Sequence, residues 1–132
     1  MDLQQLSDRA EITDVVTRYT RAIDTGDWDK LDTVFTADAD IDYTESEGIA
    51  ASYAEVKPWL AEVLPAFFPK RMHTIGQVDI DLHYSEQGDE ADVTAYNASL
   101  RPWGPLSWSP ARPALVLIPR APPTSTRIGV VR

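Results

Sequence analysis

The sequence contains no cysteine, so neither a disulfide framework nor thiolate chemistry is expected of it. It has no run approaching about 18 apolar residues, so no membrane-spanning helix is expected. Cations are scarce. Twelve Lys and Arg against 21 Asp and Glu leave a net charge of −9. A phosphate-binding surface needs clustered cations, so nucleic acid is not an expected partner. The two histidines show no metal-ligand spacing such as H-x-x-x-H, and the aspartates are scattered, so no metal and no cofactor is expected. Neither a glycine-rich phosphate loop nor G-x-S-x-G occurs. The opening MDLQQLSDRAE lacks a basic region followed by an apolar stretch, which sets the expected location as cytoplasmic.

What is present fits a single soluble domain: 132 residues, 43% hydrophobic and 25% charged. Composition shifts along the chain. Residues 1–92 hold all 21 acids, whereas residues 93–132 hold five arginines and no acid. Seven of the ten prolines lie from Pro102 onward. The expected division is therefore a folded domain over 1–97 and an atypical tail over 98–132. Within that tail only Ala114 to Ile118 resembles a strand. Two readings of it stand: a frameshifted or replaced, disordered segment, or a genuine Pro-rich extension.

Within the domain, Ile12, Val15, Val16, Tyr19, Ala22 and Ile23 keep the spacing of one helical face, with Ser7 as the expected N-cap and Gly26 closing the helix. Asp27 then caps an expected second helix with Trp28, Leu31, Val34 and Phe35 inward. From Asp38 the period becomes two, placing Ala39, Ile41 and Tyr43 on one face of a strand and Asp38, Asp40 and Asp42 on the other. Ser52-Tyr-Ala-Glu55 has capping-box form ahead of Val56, Trp59, Leu60, Val63 and Leu64. Pro58 suggests that the regular part of this helix begins only near Lys57. Arg71 to Tyr84 reads as a long strand with a phase conflict. His73 and Ile75 oppose Val78, Ile80 and Leu82, and a bulge at Gly76 would reconcile them. Residues 86–90 form a hairpin turn and Ala91 starts the return strand.

The order helix, short turn, helix, strand, helix, bent strand, hairpin resembles the nuclear transport factor 2 superfamily. The stretches AIDTGDWDKLDTVFTADADIDY, SYAEVKPWLAEVL and RMHTIG are similar to its SnoaL-like branch, which includes polyketide cyclases and scytalone dehydratase. The resemblance covers about residues 5–97. It implies an α+β cone, with N-terminal helices packed on a curved mixed or antiparallel sheet that the altered C-terminus leaves incomplete. It also implies a small hydrophobic substrate or ligand. A homodimer or trimer is implied as well, with an interface built from the C-terminal strands, the part of this chain that departs from the pattern.

The scytalone dehydratase pattern matches Asp24, Tyr43 and His73. It implies that His73 transfers a proton, Asp24 partners it and Tyr43 holds a carbonyl. The tyrosine that the pattern places just before the aspartate is Ile23 here, which argues against scytalone itself as substrate. On local grounds each residue has a second reading. Asp24 could cap a turn with Gly26, Tyr43 could be core, and His73 could be a hydrogen-bonded rim histidine. Tyr19, Trp28, Trp59, Phe67 and Phe68 are the expected substrate-binding residues, with core packing as the alternative for each. His83 is expected to be exposed beside Asp81. The implied function is a cofactor-independent acid/base enzyme, of dehydratase, isomerase or cyclase type, on a small apolar ring-containing substrate. The alternatives are a non-catalytic binding or assembly module using the same pocket and a degraded, inactive paralogue.

Overall fold

The computed structural model describes residues 1–44, 48–100, 116–117 and 129–130, with 96–100 and the last two pairs described as backbone. Helix α1 spans Leu3–Thr25, a 3-10 helix spans Trp28–Thr33, and strands β1 (Asp40–Asp42) and β2 (Ala50–Ser52) form an antiparallel pair. Helix α2 is Tyr53–Phe67, followed by the long strands β3 (Met72–His83) and β4 (Glu90–Leu100). Short strands β5 (Val116–Leu117) and β6 (Gly129–Val130) pair with each other, β5 lying beside β4 and β6 beside β1. The strand Val116–Leu117 falls within the tail segment expected to be extended. β4 runs on to Leu100, past the expected boundary at residue 97, and β6 is a second strand within the segment read as tail; its other residues lie outside the described ones. Among the described residues, no helix is long and apolar enough to cross a membrane.

Helix α1 begins earlier than expected. Its N-cap is Asp2, whose Oδ1 accepts from the Gln5 backbone N–H at 2.9 Å while Gln5 Oε1 accepts from the Asp2 N–H at 3.0 Å. Ser7 therefore lies inside the helix. Asp2-x-x-Gln5 forms a reciprocal box, and nothing equivalent stands three residues after Ser7. At the other end Gly26 adopts φ 69°, the left-handed conformation that a helix terminus of this kind favours in glycine.

The expected second helix is a short 3-10 helix. Asp27 caps it through Lys30 N–H at 3.3 Å, and Leu31, Val34 and Phe35 are buried as predicted, with Trp28 only partly so. Arg18 donates from Nη1 to the Thr33 carbonyl at 3.0 Å, fastening this element to α1.

Helix α2 starts at Tyr53, not near Lys57. Glu55 reaches back to accept from Ser52 N and Oγ at 3.3 and 2.9 Å. Pro58 and Pro65 both sit inside the helix, seven residues apart and both exposed. That spacing puts them on one face, where the carbonyls they cannot serve can turn toward water. Lys57 on the same helix donates to Asp29 at 3.0 Å and to Asp32 at 2.9 Å, and Tyr53 donates to Asp32 at 2.5 Å. These two aspartates are thus links between elements as well as wet-face residues.

The β3–β4 ladder runs in register from Met72↔Leu100 to Ile75↔Asn97, then resumes at Val78↔Ala95. Gly76 and Gln77 together face one residue of β4, which is the bulge that the phase conflict required. His73, Ile75, Val78, Ile80 and Leu82 consequently share the less exposed face. That face meets α1, where Ile12 packs with Ile80, Ala91 and Val93. A larger core of Val15, Ala22, Ile23, Leu31, Val34, Phe35, Ile41, Tyr53, Val56 and Leu60 joins α1, the 3-10 helix, β1 and α2.

Candidate active site

The end of α1 satisfies its own carbonyls. Gly26 N–H reaches Ile23 O at 3.3 Å and Asp27 N–H reaches Ala22 O at 3.0 Å. The Asp24 side chain is therefore released from a turn role, and it crosses to the start of β3. Its Oδ2 accepts from the His73 backbone N–H at 2.9 Å, and its Oδ1 lies 2.5 Å from His73 Nδ1. Both side chains are largely buried, at 14% and 19% exposure. With a carboxylate on Nδ1, the neutral ring carries its proton there and Nε2 keeps a lone pair. Because the same carboxylate also holds the backbone of His73, the ring is fixed in position as well as in tautomer.

A second polar pair lies within electrostatic reach. The hydroxyls of Tyr19 and Tyr43 are 2.7 Å apart. Burial pushes the Tyr19 phenol above its usual range, the bond to Tyr43 partly offsets this, and the Asp24 charge adds to the rise. Burial lifts Tyr43 further, reinforced by Tyr19. Aromatic neighbours hold both rings. Trp59 stacks on Tyr43 with centroids 6.3 Å apart, and Phe35 meets Tyr19 edge-on at 5.9 Å. Gly48 presses against this pair, since a Cβ there would lie 2.7 Å from Tyr43 Cβ and 3.0 Å from the Trp59 ring.

A raised phenol pKa has a consequence for stability. The unfolded tyrosine ionises near pH 10, and the folded one only at higher pH. The stabilisation is thus complete below pH 10 and declines as pH rises through the folded value. Urea titrations between pH 8 and 11 should show stability falling above pH 10. In Tyr43→Phe the fall should be shallower, by about 1.4 kcal/mol per pH unit. Tyr19, Tyr53 bonded to Asp32, and the exposed Tyr84 bonded to Asp8 leave a residual slope. Equal slopes in the variant and the parent would contradict the assignment.

Trp28 lies beneath the Arg71 guanidinium, 5.6 Å from ring centroid to Cζ. Phe68 ends α2, its N–H on Leu64 O at 2.7 Å and its carbonyl accepting from Arg71. Phe67 is 72% exposed at the end of the same helix. His83 is exposed as expected, but its nearest polar partner is Asp92 across the ladder, with Nε2 at 3.0 Å, and not Asp81. Among the described residues, no three His, Cys, Asp or Glu side chains converge on a potential metal position. Two features escape sequence reasoning: the Tyr19–Tyr43 bond and the contacts of Arg71. The only sequence signal for Arg71 is its place two residues before the strand histidine.

The SnoaL-like domain family matches residues 4–103. An uncharacterized protein of Mycobacterium tuberculosis H37Rv is 40% identical over 80 residues, covering 61% of this chain and 54% of the relative. The chain thus spans about half the length of the curated relatives it matches. A solved structure from Catenulispora acidiphila superposes with a TM-score of 0.72 at 22% identity, over 97% of this chain and 91% of the other. A protein from Novosphingobium aromaticivorans, named as a candidate scytalone dehydratase, gives 0.67 at 14% identity, over 97% and 87%. At these identities the structural likeness establishes the fold, which is the expected cone of the nuclear transport factor 2 type. By the match over residues 4–103, the chain belongs to the SnoaL-like domain family.

Proposed function

We propose that this protein is a cytoplasmic, cofactor-independent proton-transfer enzyme, of dehydratase, isomerase or cyclase type, acting on a small apolar ring that carries a carbonyl group. The observation that carries the reading is the pair of hydrogen bonds by which Asp24 holds His73, one from its backbone N–H and one from Nδ1, which leaves Nε2 as a fixed base. Nε2 takes the proton from the carbon next to the carbonyl. The electron pair of the broken C–H bond moves toward the carbonyl oxygen as an enolate. Tyr43 meets that oxygen. Either hydroxyl can donate in the Tyr19–Tyr43 bond, and with Tyr19 donating the Tyr43 proton is left for the substrate. The imidazolium then returns its proton, either to another carbon or to a departing β-hydroxyl, which leaves as water. Trp59, stacked on Tyr43, supplies an apolar wall. The name borne by the Novosphingobium protein supports the reading at the level of reaction class.

The step can be assayed before the natural substrate is known. Cyclic ketones and enones incubated in D2O should lose their α-proton NMR signals faster with the protein than without it. His73→Ala should bring the rate to background, and Tyr43→Phe should lower it about tenfold or more. If ligands from the panel bind with no exchange above background, the protein is a binding module and the proposal is wrong. A His73→Ala variant with parental exchange would remove histidine from the mechanism.

A further inference from the structure

We propose that Arg71 is the positioning residue of this site: a single cation that ties the C-terminal ends of both helices to the root of β3 and so holds Asp24 in range of both donors of His73. The inference rests on the reading of Asp24 and His73 as the reactive pair.

Both helices direct their carbonyl ends toward this point, and those ends carry partial negative charge. Neither helix has a basic residue in its last turn. Arg71, outside both, provides one. Its Nε donates to Ile23 O of α1 at 2.8 Å, and its Nη1 donates to Phe68 O at the end of α2 at 2.7 Å. Its guanidinium lies over Trp28, which begins the 3-10 helix. Three helical elements and one strand thus meet on one side chain.

The residues bonded make this more than a surface staple. Ile23 directly precedes Asp24, and Arg71 lies two residues before His73. The Arg71–Ile23 and His73–Asp24 contacts are therefore neighbouring links between the same two segments, across separations of 48 and 49 residues. The entropy of closing that loop is lost once for both. The rigid fork of arginine can serve two carbonyls in fixed directions while its face stacks on an indole. The single ammonium of lysine cannot reproduce that combination.

Imidazole tautomer is a readout that a merely stabilising role would not move. In a His83→Gln background only His73 remains, and 15N-histidine NMR reads its ring directly. The parent should show the Nδ1–H tautomer almost alone. In Arg71→Met the ratio of Nδ1–H to Nε2–H should fall about tenfold or more toward that of free histidine. Exchange of ketone α-protons should fall by up to about a hundredfold, the cost of an ångström of misplacement. Arg71→Lys should fold and still show the mixed tautomer, which covers the case in which the methionine variant does not fold. A folded Arg71→Met or Arg71→Lys protein that keeps the parental tautomer would overturn the proposal. The measurement needs no turnover. Absence of exchange in the parent would count against the enzymatic reading alone, and the tautomer would still decide the role of Arg71.

Discussion

Asp24→Asn should lower ketone α-proton exchange by about a hundredfold to ten-thousandfold, the range spanned by a positioned general base, while leaving the protein folded. The amide is nearly isosteric with the carboxylate, so its oxygen can still accept from the His73 backbone N–H. Its nitrogen, however, is a donor facing Nδ1. The ring answers by placing its proton on Nε2, and the lone pair needed for abstraction disappears from the substrate side. The loss should appear in kcat with little change in KM, because nothing that contacts a ground-state ligand has been removed. Asp24→Ala separates the two tasks of the carboxylate. It also leaves the His73 N–H without its acceptor, and that orphaned group should cost a further 1–3 kcal/mol or so in stability. Steady-state exchange rates and urea midpoints on both variants check these outcomes. Parental kcat in Asp24→Asn would show that the carboxylate does not set the tautomer.

The second large effect falls on stability. Phe35→Ala should destabilise the fold by about 3–5 kcal/mol, a large part of the 5–15 kcal/mol typical of a domain. Phe35 is 4% exposed and stands between two tyrosines, edge-on to Tyr19 and 5.2 Å in centroid distance from Tyr53. Removing the ring opens a cavity among α1, the 3-10 helix and α2, whose backbones cannot all collapse into it. Phe35→Leu should recover most of that loss, leaving a deficit of about 0.5–1.5 kcal/mol for the missing aromatic contacts. The two variants should also differ in the Tyr19–Tyr43 pair, because Phe35 is the wall that keeps the Tyr19 ring upright. Equilibrium urea unfolding decides it, and an alanine variant within about 1 kcal/mol of the parent would mean that the site closes on itself.

The features legible in the sequence are those written in local periodicity. The phase mismatch between His73 and Val78 locates the bulge, and the apolar stripe of α1 names its buried residues. Ser7 misleads about the start of α1 because serine is a common cap type. The reciprocal box at Asp2 and Gln5 is also visible in the sequence and is the stronger signal. Pro58 does not delay α2, because on an exposed helix face its ring displaces a carbonyl that water can take over. Family likeness names Asp24 and His73 together, whereas local pattern cannot pair them, since 49 residues separate the two. For Tyr19 the sequence leaves substrate binding and core packing both open, because its place on the helical stripe fixes where its ring goes and says nothing of its hydroxyl. Beyond its place two residues before His73, Arg71 carries no signal of its role. Its partners are backbone carbonyls, which have no identity in a sequence.

The bulge at Gly76 and Gln77 also bears on how this strand can vary among relatives. Alternation along a strand is a matter of parity, so an odd change in length reverses every facing beyond it. The odd step in β3 lies between His73 and the core residue Ile80. Length changes at the hairpin, beyond His83, alter no facing on the helix side of the strand. A single-residue change between His73 and Ile80 would turn the imidazole away from Asp24 unless a second odd step cancelled it. The tip of the hairpin is therefore free to drift in length, whereas its root is confined to even steps.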